Sequence, residues 1–413
     1  MTFTIPNRSL LIPSVYLVLL STVFSPFTID GKNFLFIGFS MVGWGVLAAT
    51  YSRSFPKSMD FYLILILFFV LFSSFVNYRE TQWMSTMYSV FFILSYYFYS
   101  GFIRSYFTVG DYSRALEFIF VLYFFGLLAG QLYVNVLGFS PLYVSGTVVL
   151  GRMGASLEAG QFRYYSFSSE PSYAAFIVIT LYYSFTRING NQSLFRGINL
   201  VFFLMLLYML FFFRSAYAAL LLGLLLMSFL GFTKRFLLVY FLIFFLGLVI
   251  LSFVNEVPGA ARLINIVNNL DLENPHNLSI IDFNTYYRVA PLLHYFRIFD
   301  WQDLHFWIGY GAAASRHLVV PEIYLASQGE FLGGFVPSFF YDYGVLGGVM
   351  VLFFAFRQVP SFFSFPTAVI GLMLLNANFN TQLFWLLILC FSMDKHFSKQ
   401  AKQEEAVVVK SLT

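Results

Sequence analysis

The chain has 413 residues, of which 59% are hydrophobic and only 10% charged, and phenylalanine alone contributes 57. A soluble domain carries about 25% charged residues, so the composition argues against a soluble enzyme and is typical of a multi-pass membrane protein. The net charge of +4 suits loops beside lipid headgroups, and the single cysteine excludes an internal disulfide. The chain has no basic patch interleaved with aromatic residues, so the sequence does not indicate a nucleic-acid partner.

Apolar segments of about 20 residues, long enough to cross a bilayer as helices, recur along the chain. About twelve are present, and they centre near Leu19, Met41, Leu67, Phe92, Phe125, Ile177, Leu206, Leu224, Phe245, Leu346, Val369 and Leu387. We therefore expect an all-α polytopic membrane protein with about 12 transmembrane helices. We expect transmembrane helices 1–9 in residues 1–254, with a shorter periplasmic loop near 139–172. A large periplasmic loop is expected over 255–334, transmembrane helices 10–12 over 335–394, and a cytoplasmic tail over 395–413.

Lysine and arginine indicate the orientation, because cytoplasmic loops are enriched in both. With both termini in the cytoplasm, every cytoplasmic loop holds a basic residue. The opposite side holds Lys32, Arg79, Arg152, Arg163, Arg214, Arg262, Arg288, Arg297 and Arg316. The loop over 255–334 lies on this side, and its length of about 80 residues exceeds ordinary connections. Its tryptophans and tyrosines argue against disorder, so we expect it to form a cap on the outer face.

Arg214 interrupts the apolar stretch "LLYMLFFFRSAYAALLLGLLL". An arginine at bilayer depth costs about 2.5–3.5 kcal/mol on insertion scales. Two interpretations remain open from the residues alone. Arg214 either lies in a short outer turn and extends into the headgroups, or lines a water-filled cavity and binds an anion.

Arg163 and Glu170 lie in the loop before the segment centred on Ile177. Pro171 follows Glu170 directly, and both proline and acidic groups are favoured at a helix start. Glu170 therefore either belongs to a helix cap or serves as a base at the outer membrane surface.

A third cluster of arginine and histidine lies in the large outer loop. In "TYYRVAPLLHYFRIF", Pro291 is expected to begin a helix, with Arg288 before it and Arg297 within it. In "WIGYGAAASRHLVVPE", two glycines flank Tyr310 in a predicted turn, and Arg316 and His317 follow. Arginine donates paired hydrogen bonds to phosphate and stays charged, so this face is suited to a phosphorylated lipid or another polyanion.

Sequence patterns for other chemistries are absent. The chain has no H-E-x-x-H, Walker, C-x-x-C or G-x-S-x-G pattern, and no D-x-D pattern of metal-assisted nucleotide-sugar enzymes. We therefore expect no metal and no cofactor.

Four stretches in this order resemble the O-antigen polymerase and O-antigen ligase group of bacterial inner-membrane glycosyltransferases. They are "RYYSFSSEPSYAAF", "FFFRSAYAALLLG", "YYRVAPLLHYFRIF" with "IGYG", and "FVPSFFYDYGVLGGVMVLF". The resemblance implies a GT-C-like, mostly helical fold with a large helical periplasmic loop, in the inner (cytoplasmic) membrane. It implies a glycan donor on undecaprenyl pyrophosphate and, as a possible partner, a membrane protein that regulates chain length.

The resemblance also implies roles for individual residues. Glu170 and His317 are the expected catalytic residues. Arg163, Arg214 and Arg288 match the periplasmic arginines of the group and are expected to bind pyrophosphate. The same role is expected of Arg152, Arg297 and Arg316 because they lie among the arginines of the outer side. The "E-P-S" stretch favours a polymerase, which joins the growing glycan to a new lipid-linked repeat unit. The alternatives are a ligase that transfers glycan to lipid A-core and a lipid-linked oligosaccharide flippase or other transporter.

One feature of some polymerases is not reproduced. An R-x10-G spacing occurs in two of their periplasmic loops. Here Arg297 precedes Gly309 by one residue too many, and Arg163 has no glycine at that offset. The spacing therefore does not identify the catalytic loops of this chain.

Overall fold

The computed structural model of this chain describes residues 27–29, 32–33, 37–38, 41, 60–137, 148–150, 154–158, 161–168, 171–188, 197–229, 286, 290, 293–297, 300–314, 338–376 and 381–412. Helices dominate these residues. They are α1 (Phe61–Val76), α2 (Trp83–Tyr106), α3 (Val109–Gln131), α4 (Pro171–Ile188), α5 (Ile198–Phe213), α6 (Ala216–Phe229), α7 (Leu304–Ile308), α8 (Phe340–Gln358), α9 (Phe365–Asn376) and α10 (Gln382–Leu412). A π-helical turn, Leu132–Val136, extends α3.

The described helices coincide with most of the predicted apolar segments. The centres that lie in a helix are Leu67, Phe92, Phe125, Ile177, Leu206, Leu224, Leu346, Val369 and Leu387. Met41 is helical, while Leu19 and Phe245 lie outside the described residues. Within the described residues, only Val109–Val136 and Phe340–Gln358 are both long and apolar enough to cross a membrane. The prediction of about twelve spans is therefore not confirmed.

Short strands accompany the helices. They are β1 (Phe27–Ile29), β2 (Lys32–Asn33), β3 (Val148–Leu150), β4 (Gly154–Glu158) and β5 (Gln161–Ser166). β1 pairs antiparallel with β2 and β3, and β4 pairs antiparallel with β5. Most of these strands fall in the loop near 139–172, and the aromatic residues of β5 favour extended backbone. Helices still form the core, as an all-α fold predicts, and the strands are an addition to it.

The cap predicted over 255–334 is helical in places where it is described. Residues 293–297 are helical, and α7 follows. Tyr286 and Ala290 are also helical. Pro291 itself lies outside the described residues, so its place at the start of a helix stays a prediction.

Polar contacts define two ends of the helical bundle. At one end, which we call the basic end, Arg357 at the end of α8 pairs with Asp60 before α1 at 3.4 Å, and Lys395 donates to the Arg357 carbonyl at 2.6 Å. Arg104 at the end of α2 donates to Ser392 there, also at 2.6 Å. The opposite end, which we call the hairpin end, contains the β4–β5 hairpin, the α5–α6 turn and α7.

The outward face of α1 is apolar. Phe61, Ile64, Phe68, Leu71 and Phe75 recur at helical spacing, and all are exposed, with Phe75 at 74%. Inside the bundle, small hydroxyl side chains are buried, as in transmembrane helix packing. An apolar face of this extent is the kind that lipid or another protein covers.

A capping box begins α3 at the basic end. Thr108 Oγ1 accepts from the Asp111 backbone N–H, and Asp111 accepts from the Thr108 backbone N–H at 3.1 Å. Replacing Thr108 with alanine should lower the free energy of unfolding by about 1 kcal/mol. Thermal unfolding in detergent measures this change. Ser105→Ala is the control, because exposed Ser105 bonds only within its own helix to Gly101. Equal destabilisation by both variants would contradict the capping role.

Candidate functional site

The β4–β5 hairpin is fixed to the end of α3. The hydroxyl of Tyr164 on β5 donates to Asn135 Oδ1 at 2.7 Å, and the hydroxyl of Ser166 donates to the Tyr123 carbonyl at 2.8 Å. Gly126 on α3 faces Ser166 and Phe167 with no room for a side chain. These contacts hold β5, the strand that carries Arg163 opposite Ser156, against the helical bundle.

Arg214 lies in the turn between α5 and α6. Its φ of 48° and ψ of 42° are left-handed, and its side chain is exposed directly after buried Phe213. Left-handed backbone in a non-glycine residue is uncommon. Arg214 therefore lies in a turn between two helices and not inside a helix, while its place on the outer side of a membrane stays a prediction.

The Arg214 charge acts on the hairpin. Burial raises the pKa of the Tyr164 phenol, while the hydrogen bond to Asn135 and the charge of Arg214 oppose that rise. The Tyr164 ring also contacts Phe212 edge-on, with centroids 6.2 Å apart. The Arg214 turn and the strand that carries Arg163 therefore meet at the hairpin end.

Arg297 belongs to the same end. It is exposed on the helical turn 293–297, next to buried Tyr295, whose ring contacts Phe340 at the start of α8 with centroids 6.2 Å apart. The other predicted site residues, Arg152, Glu170, Arg288, Arg316 and His317, lie outside the described residues.

Three polar aromatic side chains form a stack beside α7. The rings of His305 and Tyr310 stack with centroids 4.2 Å apart, and those of Tyr310 and Tyr341 stack at 4.9 Å. Asp303 caps α7 by accepting from the His305 backbone N–H at 3.0 Å. The same carboxylate lies 3.0 Å from His305 Nδ1 and accepts from the Tyr310 hydroxyl at 3.4 Å.

Electrostatics keep Asp303 ionised. The backbone hydrogen bond from His305 is the largest of the influences that lower the pKa of this carboxyl group. A group whose pKa is lowered on folding contributes stability above its unfolded pKa and loses it as the pH falls. The contacts of Asp303 are therefore retained at neutral pH and weaken only in acid.

Two glycines let the segment after α7 dock against the start of α8. Gly309 and Gly344 have φ of 74° and 67° with ψ near 180°, a region essentially restricted to glycine. A Cβ on Gly309 would overlap the Asp342 backbone, and one on Gly344 would overlap the Trp307 backbone. The turn predicted around Gly309 and Gly311 is confirmed, with Gly311 at φ 98°.

Hydrogen bonds lock this docking, which we call the glycine junction and define as residues 308–314 with 341–344. Buried Asp342 accepts from Gly311 N–H through its carbonyl at 2.8 Å and from Ala313 N–H through its carboxylate at 3.0 Å. Ser73 and Asn77 at the end of α1 donate to the carbonyls of Ile308 and Gly309. The junction thus fixes residues 308–314 against the start of α8.

Sequence reasoning missed the side chains of this cluster. Asp303 and His305 lie in no recognised motif, and Asp303 before an apolar run signals only a helix start. Asp342 lies in the stretch "FVPSFFYDYGVLGGVMVLF", but the resemblance gave it no role. Among the described residues no group of three or more histidine, cysteine or acidic side chains is arranged to hold a metal ion.

Comparison with known proteins adds no assignment. No family model matches the chain, and no curated protein sequence matches it. Proposals about its activity therefore depend on its residues, their resemblance to known motifs and their geometry.

Proposed function

We propose that the protein is an O-antigen polymerase, a metal-independent glycosyltransferase of the bacterial inner membrane with a GT-C-like fold. It transfers a growing glycan from undecaprenyl pyrophosphate to the sugar of a lipid-linked repeat unit on the periplasmic side. The exposed apolar face of α1 and the two helices of spanning length support a membrane location. The charge of the basic end supports a cytoplasmic position for that end.

The observation that carries the proposal is the position of Arg214. A guanidinium is exposed in a left-handed turn at the hairpin end, within electrostatic range of a strand that also carries Arg163. The hairpin end faces the periplasm if the basic end faces the cytoplasm. Two arginines on contacting elements at the membrane surface suit the diphosphate of a lipid-linked donor.

The chemistry needs positive charge and a proton acceptor. An acceptor hydroxyl attacks the anomeric carbon, and the bond from that carbon to the pyrophosphate oxygen breaks. The leaving undecaprenyl pyrophosphate gains negative charge, which arginines already in position stabilise. A carboxylate or imidazole takes the hydroxyl proton, and the sequence offers Glu170 and His317 for this role.

Reconstitution tests the proposal. Purified protein in liposomes receives a purified undecaprenyl-pyrophosphate-linked repeat unit in the presence of a metal chelator. We expect a ladder of glycans, each longer by one repeat unit, because the reaction uses neither metal nor nucleotide. Gel separation of the released glycans measures their lengths.

Three other outcomes would contradict a polymerase. A single transfer to added lipid A-core without chain growth would identify a ligase. Movement of the lipid-linked repeat across the bilayer without elongation would identify a flippase. An unchanged substrate that stays on its original leaflet would exclude all three activities.

A further inference from the structure

The carboxylate of Asp303 orients the imidazole of His305. Oδ1 lies 3.0 Å from Nδ1, and both side chains are more than one-third exposed, at 37% and 38%. Because Asp303 is ionised, this contact requires a proton on Nδ1. In neutral imidazole the lone pair then lies on Nε2.

The His305 side chain is 38% exposed. Among the described residues, the hydrogen bonds of the His305 ring are confined to Nδ1. The ring is held from one side by Tyr310, which stacks in turn on buried Tyr341. A fixed ring with an open acceptor nitrogen is the arrangement that general bases share.

Helix capping accounts for only part of this geometry. A capping aspartate needs to accept only a backbone N–H, and Asp303 does so from His305. The additional contacts with the imidazole and with the Tyr310 hydroxyl are not required for a cap. The glycine junction also fixes the position of Tyr310, because the Tyr310 N–H donates to the Tyr341 carbonyl at 3.0 Å.

We propose that His305, in place of Glu170 or His317, is the general base that deprotonates the acceptor sugar hydroxyl, and that Asp303 positions it. This inference rests on the proposed polymerase function. The acceptor oxygen forms a bond to the anomeric carbon as its proton moves to Nε2. The bond from the anomeric carbon to the diphosphate breaks, and its electron pair leaves with undecaprenyl pyrophosphate. The substrate at this position is a sugar hydroxyl of the lipid-linked repeat unit.

The test uses the full-length protein with the lipid-linked repeat unit in liposomes. His305→Phe keeps a ring against Tyr310 but removes Nε2, so we expect the elongation rate to fall about 100-fold to 10,000-fold. His305→Ala leaves space for a small base, so added imidazole should restore part of its rate. Neither a cap nor a packing role predicts this rescue, and it remains measurable even if the phenylalanine variant folds poorly.

A double variant tests the positioning role of Asp303. Asp303→Asn should slow elongation in the wild-type background and have no additional effect on the rate in His305→Phe, because residues that act as a unit are not additive. His396→Phe is the matched control. His396 is another half-buried histidine beside an aromatic ring, but it lies at the basic end, and its loss should leave the rate unchanged.

The outcomes separate this inference from the proposed function. If the wild type makes a ladder and His305→Phe elongates at the same rate, the general-base role is wrong while the polymerase stands. A folded His305→Ala variant that imidazole fails to rescue also overturns the role. If the wild type makes no ladder from the purified lipid-linked repeat unit, both the proposed polymerase function and the general-base role of His305 are wrong.

Discussion

Replacement of Arg214 with asparagine is expected to lower the elongation rate by about 100-fold to 1,000-fold, the loss typical when one preorganised charge-stabilising donor is removed. Asparagine is enriched in left-handed backbone, so the turn between α5 and α6 should keep its conformation. Arg214→Lys should retain an intermediate rate, because an ammonium keeps the charge but lacks the paired donors of the guanidinium. The rate of ladder formation in liposomes measures both variants.

Arg79→Ala is the matched control for this prediction. Arg79 is also an exposed arginine at the hairpin end, where it donates to the neighbouring Tyr78 hydroxyl at 2.8 Å. Its loss removes the same charge from the same end, so a general effect of surface charge would slow both variants equally. Equal rates for Arg79→Ala and Arg214→Asn would contradict a specific role for Arg214.

Replacement of Gly344 with alanine is expected to destabilise the glycine junction strongly. Alanine would meet backbone strain of about 1–3 kcal/mol in this glycine-only region. Overlap of its Cβ with the Trp307 backbone adds overpacking of about 1–3 kcal/mol. The variant should unfold at a clearly lower temperature in detergent, and elongation should fall with it, because the junction carries Tyr310 and Tyr341 of the stack around His305.

Gly371→Ala provides the comparison. Gly371 lies inside α9, and a Cβ there would meet no atom within 4 Å. Alanine favours a helix over glycine by about 1 kcal/mol, so this variant should be as stable as the wild type or slightly more stable. If Gly344→Ala melts at the wild-type temperature, the close approach of the α7 and α8 segments is not a source of rigidity.

Most of the long helices could be predicted from the sequence because they coincide with apolar runs. Leu67, Phe125 and Leu346 mark segments whose composition alone favours a buried or lipid-facing helix. The strands were not predicted, since β4 and β5 are short and their pairing depends on contacts such as Tyr164 with Asn135. A single sequence contains no direct signal for a contact between residues so far apart.

The candidate site was predictable where charge breaks an apolar pattern. Arg214 stands out because nothing else in its surroundings is charged, and the structure places it in the turn between α5 and α6. His305 did not stand out, because its importance comes from a carboxylate two residues away and from a ring stack completed by Tyr341. That stack exists only because Gly309 and Gly344 allow two distant segments to touch.

The central claim is that the guanidinium groups of Arg214 and Arg163 bind the diphosphate of the lipid-linked substrate. Native mass spectrometry of the purified protein with undecaprenyl pyrophosphate and with undecaprenol measures this most directly, in the wild type and in Arg214→Asn. We predict that the wild type binds the diphosphate lipid at least ten-fold more tightly than the alcohol, a difference of about 1.4 kcal/mol or more in binding free energy. We predict that Arg214→Asn loses most of this preference. Equal binding of both lipids by the wild type, or an unchanged preference in Arg214→Asn, would contradict the claim.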